Sequence, residues 1–208
     1  MKIQNKMPEY SESMHLELIK NGWVPMKEPK TVLSAILLSI PFMIINGLIS
    51  ILVINIFSNL SLKEFGFTSN TISINLNLVD ILLVVLLLIV HELLHLIFIP
   101  NFIKSEKTIL GLTWFGGFVV TEEKIEKSRF IWITIAPFII ISVILPLVLS
   151  YCGLLTTTLK FLILLNSMAS CVDMLNLLLI IKQVPQDGTL KSNGQKTYWN
   201  YKQSDFNF

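Results

Sequence analysis

Ile72 to Pro100 reads ISINLNLVDILLVVLLLIVHELLHLIFIP. It is apolar enough and long enough to cross a bilayer, which takes about 20 apolar residues. Ionisable groups are expensive at such depth and are kept there for a purpose. Yet this run holds His91, Glu92 and His95, and so two of the three histidines in the chain. At 3.6 residues per turn, positions four apart leave one helix face one turn apart. Two imidazoles then reach a common point, and the carboxylate of Glu92 stands beside them. This is the H-E-x-x-H pattern: two histidines for zinc, and a glutamate as general base for a bound water. The competing reading is a polar cluster that locks helix contacts without chemistry.

Composition supports a membrane reading. The 208 residues are 53% hydrophobic and 14% charged, with mean hydropathy +0.69. Soluble domains carry about 25% charged residues, so a large separate soluble domain does not fit. The 15 lysines and one arginine are spread over several loops, and the net charge is +2. That argues against nucleic acid as a partner. Cys152 and Cys171 give neither a disulfide framework nor a thiolate metal pattern. The first 30 residues are polar and the first apolar run is too long for a signal h-region, so no signal peptide is expected.

The expected fold is an all-α integral membrane protein with four transmembrane helices, over about 31–57, 72–100, 130–151 and 153–181, and a small cytoplasmic β-hairpin between spans two and three. The domain plan is a cytoplasmic N-terminal segment 1–30, a four-span membrane domain 31–181 and a cytoplasmic tail 182–208. In the N-terminal segment, Ser13 is expected to cap a short helix ending at Gly22. Its Met14–Leu18 face suits a membrane surface, and His15 reads as a solvated side chain. The hairpin is read at 108–121, with the turn at Gly116-Gly117 and with Trp114, Phe115 and Phe118 at a membrane interface. Pro137 and Pro146 interrupt span three, and the tail is expected to be loosely ordered. Placing both termini inside puts fourteen basic residues on the cytoplasmic side and only Lys63 outside, with Lys160 within a span. The positive-inside rule favours that orientation, a multi-pass protein of the cell membrane.

Catalytic zinc takes three protein ligands and leaves one position for water. No histidine follows His95. Asp173 lies nine residues before Lys182, at the inner end of span four and within about a helical turn of the depth of His91. Asn166, Ser170 and Asp173 share a face at i, i+4, i+7. Asp173 is therefore the expected third ligand; the competing reading makes it a carboxylate that hydrogen-bonds a ligating histidine. Asp80 lies about 16 Å along the helix from His91, too far to touch a metal. Asp187 reads as a turn after the last helix. A glutamate of the interior loop (Glu106, Glu122, Glu123 or Glu126) is a further alternative.

An HExxH within a span and an aspartate on a later one resemble intramembrane zinc proteases of the site-2 type. The closer resemblance is to the DUF3267 family of small bacterial membrane proteins, described as predicted zincin peptidases. It is carried by His91-Glu92-Leu93-Leu94-His95, Glu122 to Arg129, Ala136-Pro137-Phe138, Asn166, Asp173 and Pro185-Gln186-Asp187, and spans most of the chain from about residue 20. In site-2 proteases the aspartate is followed by glycine, with an Asn-x-x-Pro upstream; here Met174 follows Asp173 and that upstream proline is missing. The family resemblance implies a zincin-type peptidase and names no substrate; the expected assignment is Zn2+ on His91, His95 and Asp173, Glu92 as base, and a peptide or membrane protein as substrate. The alternatives are a non-catalytic scaffold or accessory protein built on the polar cluster, and a metal-dependent hydrolase of lipid or another amide.

Overall fold

The computed structural model describes the chain apart from residues 5, 68–70, 72–76, 114–115 and 202–208 and the side chain of residue 113. Among the described residues, four helical stretches are long and apolar enough to cross a membrane, as judged by length and composition. The first is α2 (Val32–Asn55), started by a capping box between Thr31 and Ser34. The second is α3 (Leu78–Ile97). Asn77 and Asp80 form its capping box, so Asp80 satisfies a helix start. Residues 72–76 of the expected second span lie outside the described residues.

The third stretch is composite: α4 (Lys127–Pro137), a π-helical segment (Phe138–Ile144) and α5 (Leu145–Tyr151). The π segment begins directly after Pro137, where the missing N–H has already broken the α ladder. The fourth stretch divides at Ser170 into α6 (Thr157–Ala169) and α7 (Cys171–Gln183). The Ser170 N–H still bonds to the Asn166 carbonyl at 2.9 Å, and Met174 N–H to the Ser170 carbonyl at 3.1 Å. The two halves therefore continue nearly in line, and the 166–170–173 face survives the break.

The all-α expectation is corrected: the chain is mostly helical but carries two sheets. The first has the order β1-β3-β4, from β1 (Lys2–Gln4), β3 (Thr108–Thr113) and β4 (Gly116–Thr121). The expected hairpin is thus a pair of strands, but Gly116 and Gly117 lie within β4, paired with Thr113 and Leu112, and are not its turn. Trp114 and Phe115, expected at an interface, fall outside the described residues, whereas Phe118 is buried. The second sheet has the order β2-β7-β6-β5, from β2 (Val24–Pro25), β5 (Ile125–Glu126), β6 (Gly188–Asn193) and β7 (Lys196–Tyr201).

Contrary to expectation, residues 188–201 of the tail form a hairpin turning at Gly194 with φ +59°. A side chain there would strike the backbone of Glu9 and Tyr10, so glycine serves both the turn and a close approach. The N-terminal helix is α1 (Glu12–Lys20), capped by Ser11 rather than Ser13. Its Met14–Leu18 face packs on Trp23 and the fully buried Tyr198, not on a free surface. His15 bonds through Nδ1 to the Tyr198 hydroxyl at 2.8 Å and is not among the side chains grouped for a metal.

Strand pairing brings the N-terminal segment, the loop before α4 and the tail together at one end of the helices. There Leu96 and Ile99 pack with Ile125 and Ile133 beneath Leu110 and Val119. This apolar cluster ties the end of α3 to α4 and to both sheets, and it fixes the position of the HELLH turn.

Candidate metal centre

α3 delivers His91 and His95 to one face, with ring centroids 5.0 Å apart and ring planes at 74°. Each ring is held from behind. His91 Nδ1 lies 2.8 Å from Asn166 Oδ1, and His95 Nδ1 lies 2.7 Å from the Ile133 carbonyl oxygen. Both partners are acceptors, so both Nδ1 atoms carry the proton and donate it. The orientation of the Asn166 amide follows from its other contacts: Nδ2 donates to the Pro137 carbonyl at 3.2 Å and to Ser142 Oγ at 2.9 Å. The Nε2 lone pairs are left facing inward, 3.2 Å from each other.

Asp173, in the first turn of α7, closes the set. Its Oδ2 is 3.3 Å from His91 Nε2 and its Oδ1 is 3.6 Å from His95 Nε2. Two inward lone pairs and a carboxylate at these distances repel unless a cation stands among them. The spacing fits a particular size. A four-coordinate zinc with bonds of about 2.0–2.1 Å sets its ligand atoms roughly 3.3 Å apart. The three donor separations bracket that value. Backing of the Nδ1–H groups by a side-chain amide and a main-chain carbonyl is how ligating histidines are oriented. The donor set therefore fits a zinc ion.

Glu92 follows His91 and is part-buried. Its side chain lies against β4, where a Cβ at Gly117 would overlap Glu92 Cγ, Cδ and Oε1. The sheet that the hairpin enters thus roofs the HELLH turn, and a residue without a side chain makes the space. Glu92 accepts no hydrogen bond among the described residues, so its carboxylate is uncommitted.

The other acids read from sequence lie elsewhere. Asp187 sits in the turn between α7 and β6, where Gly188 N–H bonds to the Pro185 carbonyl. Glu123 accepts from Ser105 Oγ at 2.9 Å, and Glu126 precedes α4. Among the described residues, the group of His, Cys, Asp and Glu side chains close enough to share an ion is His91, His95 and Asp173, with donor atoms within 4.8 Å of one another.

The DUF3267 family model, described as "Putative zincin peptidase", matches residues 83–188. The chain belongs to the DUF3267 family. No curated protein and no solved structure matches it. The stretch matched to DUF3267 runs from within α3 to the start of β6, and so contains every residue of the centre and its supports. The zincin description implies zinc and supports a metallopeptidase as the general class.

Several residues of this centre are not legible in the sequence. Asn166 was placed on the right face, but not as the partner of His91. Nothing in the sequence points to Ser142 or to the Pro137 and Ile133 carbonyls, and Gly117 reads there as part of a hairpin signal, not as a neighbour of Glu92. An asparagine in an apolar span and a Gly-Gly pair in a strand were the available signals.

Proposed function

We propose that this chain is a membrane-embedded zinc metallopeptidase that hydrolyses peptide bonds at or within the bilayer. The observation that carries the proposal is the inward-facing triangle of His91 Nε2, His95 Nε2 and Asp173, backed through both Nδ1 atoms, with the uncommitted carboxylate of Glu92 next to it. In this reading His91, His95 and Asp173 hold Zn2+. Zinc in such a site lowers the pKa of water and polarises a carbonyl. Glu92 takes a proton from the attacking water onto its carboxylate and returns it to the leaving amine. Asn166 and the Ile133 carbonyl keep the imidazoles in one tautomer. The backbone of Gly117 keeps Glu92 in place and limits its rotamers.

The substrate is a peptide or membrane protein presented as an extended strand, since a helix hides its carbonyls. β4 is the outer strand of its sheet and passes over Glu92, which supports docking along that edge. Both termini are assigned to the cytoplasm. The N-terminal segment, the loop before α4 and the tail pair with one another in the two sheets, so they share one side, and they hold fourteen of the sixteen basic residues.

The test is zinc content and cleavage of a membrane substrate by the detergent-purified protein. Glu92→Gln retains zinc and loses cleavage by about 10²–10⁴-fold, the usual contribution of a general base. His91→Ala loses both. Cleavage that survives Glu92→Gln overturns the peptidase reading, and absence of zinc from the wild type overturns the metal assignment.

A further inference from the structure

The outward side of the third helical stretch carries a groove of about 670 Å³ that the peptidase reading does not use. Its volume lies within the range of about 300–1,000 Å³ typical of ligand sites. Its chemistry changes along its length. At the start of α4 it is lined by Glu126, Ser128 and Arg129; Trp132 stands one turn further in; Ile139, Ile140 and Ile144 line the far end. Arg129 to Ile139 is ten helical residues, about 15 Å, which is close to half the ~30 Å hydrocarbon thickness of a bilayer.

Arg129 is the sole arginine beside 15 lysines. Its Nε donates to the Phe98 carbonyl at 3.1 Å, which fixes the guanidinium at the end of α3, and its two remaining nitrogens have no partner among the described residues. A planar guanidinium suits two phosphate oxygens, which a lysine meets only as a point charge. Glu126 lines the same mouth, and no ion pair joins it to Arg129. The mouth therefore presents a cation and an anion side by side, each open to an outside partner.

We propose that this groove binds a glycerophospholipid whose headgroup carries a primary ammonium. The phosphate meets Arg129 and Ser128, the ammonium meets Glu126, and one acyl chain lies past Trp132 along Ile139, Ile140 and Ile144. Charge complementarity selects this occupant. A phosphoglycerol headgroup brings no cation to answer the charge of Glu126, and a quaternary choline offers it no N–H donor. The inference rests on the helices crossing a membrane, not on the metal centre. The groove lies on the outward side of α4, whereas the Ile133 carbonyl behind His95 belongs to its buried side.

The experiment is native mass spectrometry of the detergent-purified full chain, titrated with equal concentrations of dioleoyl phosphatidylethanolamine, phosphatidylglycerol and phosphatidylcholine. The wild type retains phosphatidylethanolamine over both others. Arg129→Gln weakens phosphatidylethanolamine and phosphatidylglycerol about fivefold, the size of one basic contact at a lipid surface. Glu126→Gln removes the preference for phosphatidylethanolamine over phosphatidylglycerol; this side chain makes no capping bond, so the substitution spares the fold. Ile140→Trp fills the apolar end and lowers retention of all three without touching the charges. Zinc content equal to wild type in each variant separates loss of lipid from loss of the metal centre. Equal retention of the three lipids, preference for phosphatidylglycerol, or retention unchanged in Arg129→Gln and Ile140→Trp overturns the proposal. So does displacement of all lipid by a transmembrane peptide that Glu126→Gln binds as well as wild type does, an outcome that assigns the groove to a substrate helix.

Discussion

α6 carries two polar clusters, and they are built on opposite principles. Near its start, Lys160 is buried, and its ammonium donates to the Asn59 carbonyl at 2.8 Å and to Glu64 Oε2 at 2.9 Å. Thr157 adds a bond to the same carboxylate oxygen at 3.4 Å. Cation and anion answer each other, and the cluster needs nothing from outside. Six residues on, about 9 Å along the helix, Asn166 supports a set of two imidazole lone pairs and a carboxylate that contains acceptors only. Both clusters put ionisable groups among apolar helices. The first is closed and ties the 3₁₀ turn Leu62–Phe65 to α6; the second offers acceptors alone, the arrangement that the proposed zinc would complete. What separates a fastening from a binding centre is thus the balance of donors and acceptors, not burial.

The most forceful way to break this comparison is to change the charge of the open cluster without changing its shape. Asp173→Asn keeps the volume and removes the anion. Zinc affinity is expected to fall by more than about 100-fold, beyond the usual loss for an outer-shell partner, as measured by competition with a chromophoric chelator. Unchanged affinity assigns Asp173 to a supporting role and moves the third ligand elsewhere. Next in size is Gly117→Val, which pushes Glu92 aside while leaving the three donors untouched. Misplacement of a catalytic group by about 1 Å costs on the order of 100-fold in rate. Cleavage is expected to fall by that order with zinc content retained, and full activity in this variant removes β4 from the account of how Glu92 is held.

Asn166→Ala sharpens the comparison from the side of the support. The His91 ring loses its acceptor, and the Pro137 carbonyl and Ser142 hydroxyl lose their donor. Zinc affinity is expected to drop about 10–100-fold. A conservative Asn166→Gln that recovers none of it supports a role in ring position rather than in polarity alone.

How much of this was legible beforehand follows from how local each feature is. His91, Glu92 and His95 could be read because a helix fixes their mutual placement within one turn. Asp173 could be found because a span fixes depth, so counting from the helix ends aligns side chains on different helices. The Ile133 and Pro137 carbonyls had no such signature, since a main-chain oxygen is the same in every residue. The sheets were hidden for another reason. Lys2–Gln4 pairs with Ile109–Gly111, and Val24–Pro25 with Tyr198–Trp199; strands of two or three residues with partners this distant leave no periodicity to read. The β6–β7 hairpin was legible in principle. Gly194 stands before the aromatic-rich KTYWNY, and a glycine at the first turn position is a hairpin signal. The polar composition of the tail concealed it.

The smallest expected effect belongs to the closed cluster, and it is a matter of pH. The hydrogen bond from Lys160 holds the Glu64 carboxyl below its ordinary value of 4.5, against the opposing effect of burial. A carboxyl that ionises more readily in the folded chain than in the unfolded one contributes stability above the ordinary carboxylate range. That contribution fades as pH falls through the lowered value. In wild type, the melting temperature measured in detergent should therefore decline as the pH is taken from neutral to below 4.5. Lys160→Met fills the same space with an apolar chain and removes the cause of the shift. The variant should melt a few degrees lower at neutral pH and lose less on acidification, while zinc content stays at the wild-type level. A parallel decline in both proteins places the acid sensitivity elsewhere. Loss of zinc in Lys160→Met would mean that the two clusters on α6 are coupled, and the contrast between a closed and an open cluster would then describe one unit rather than two.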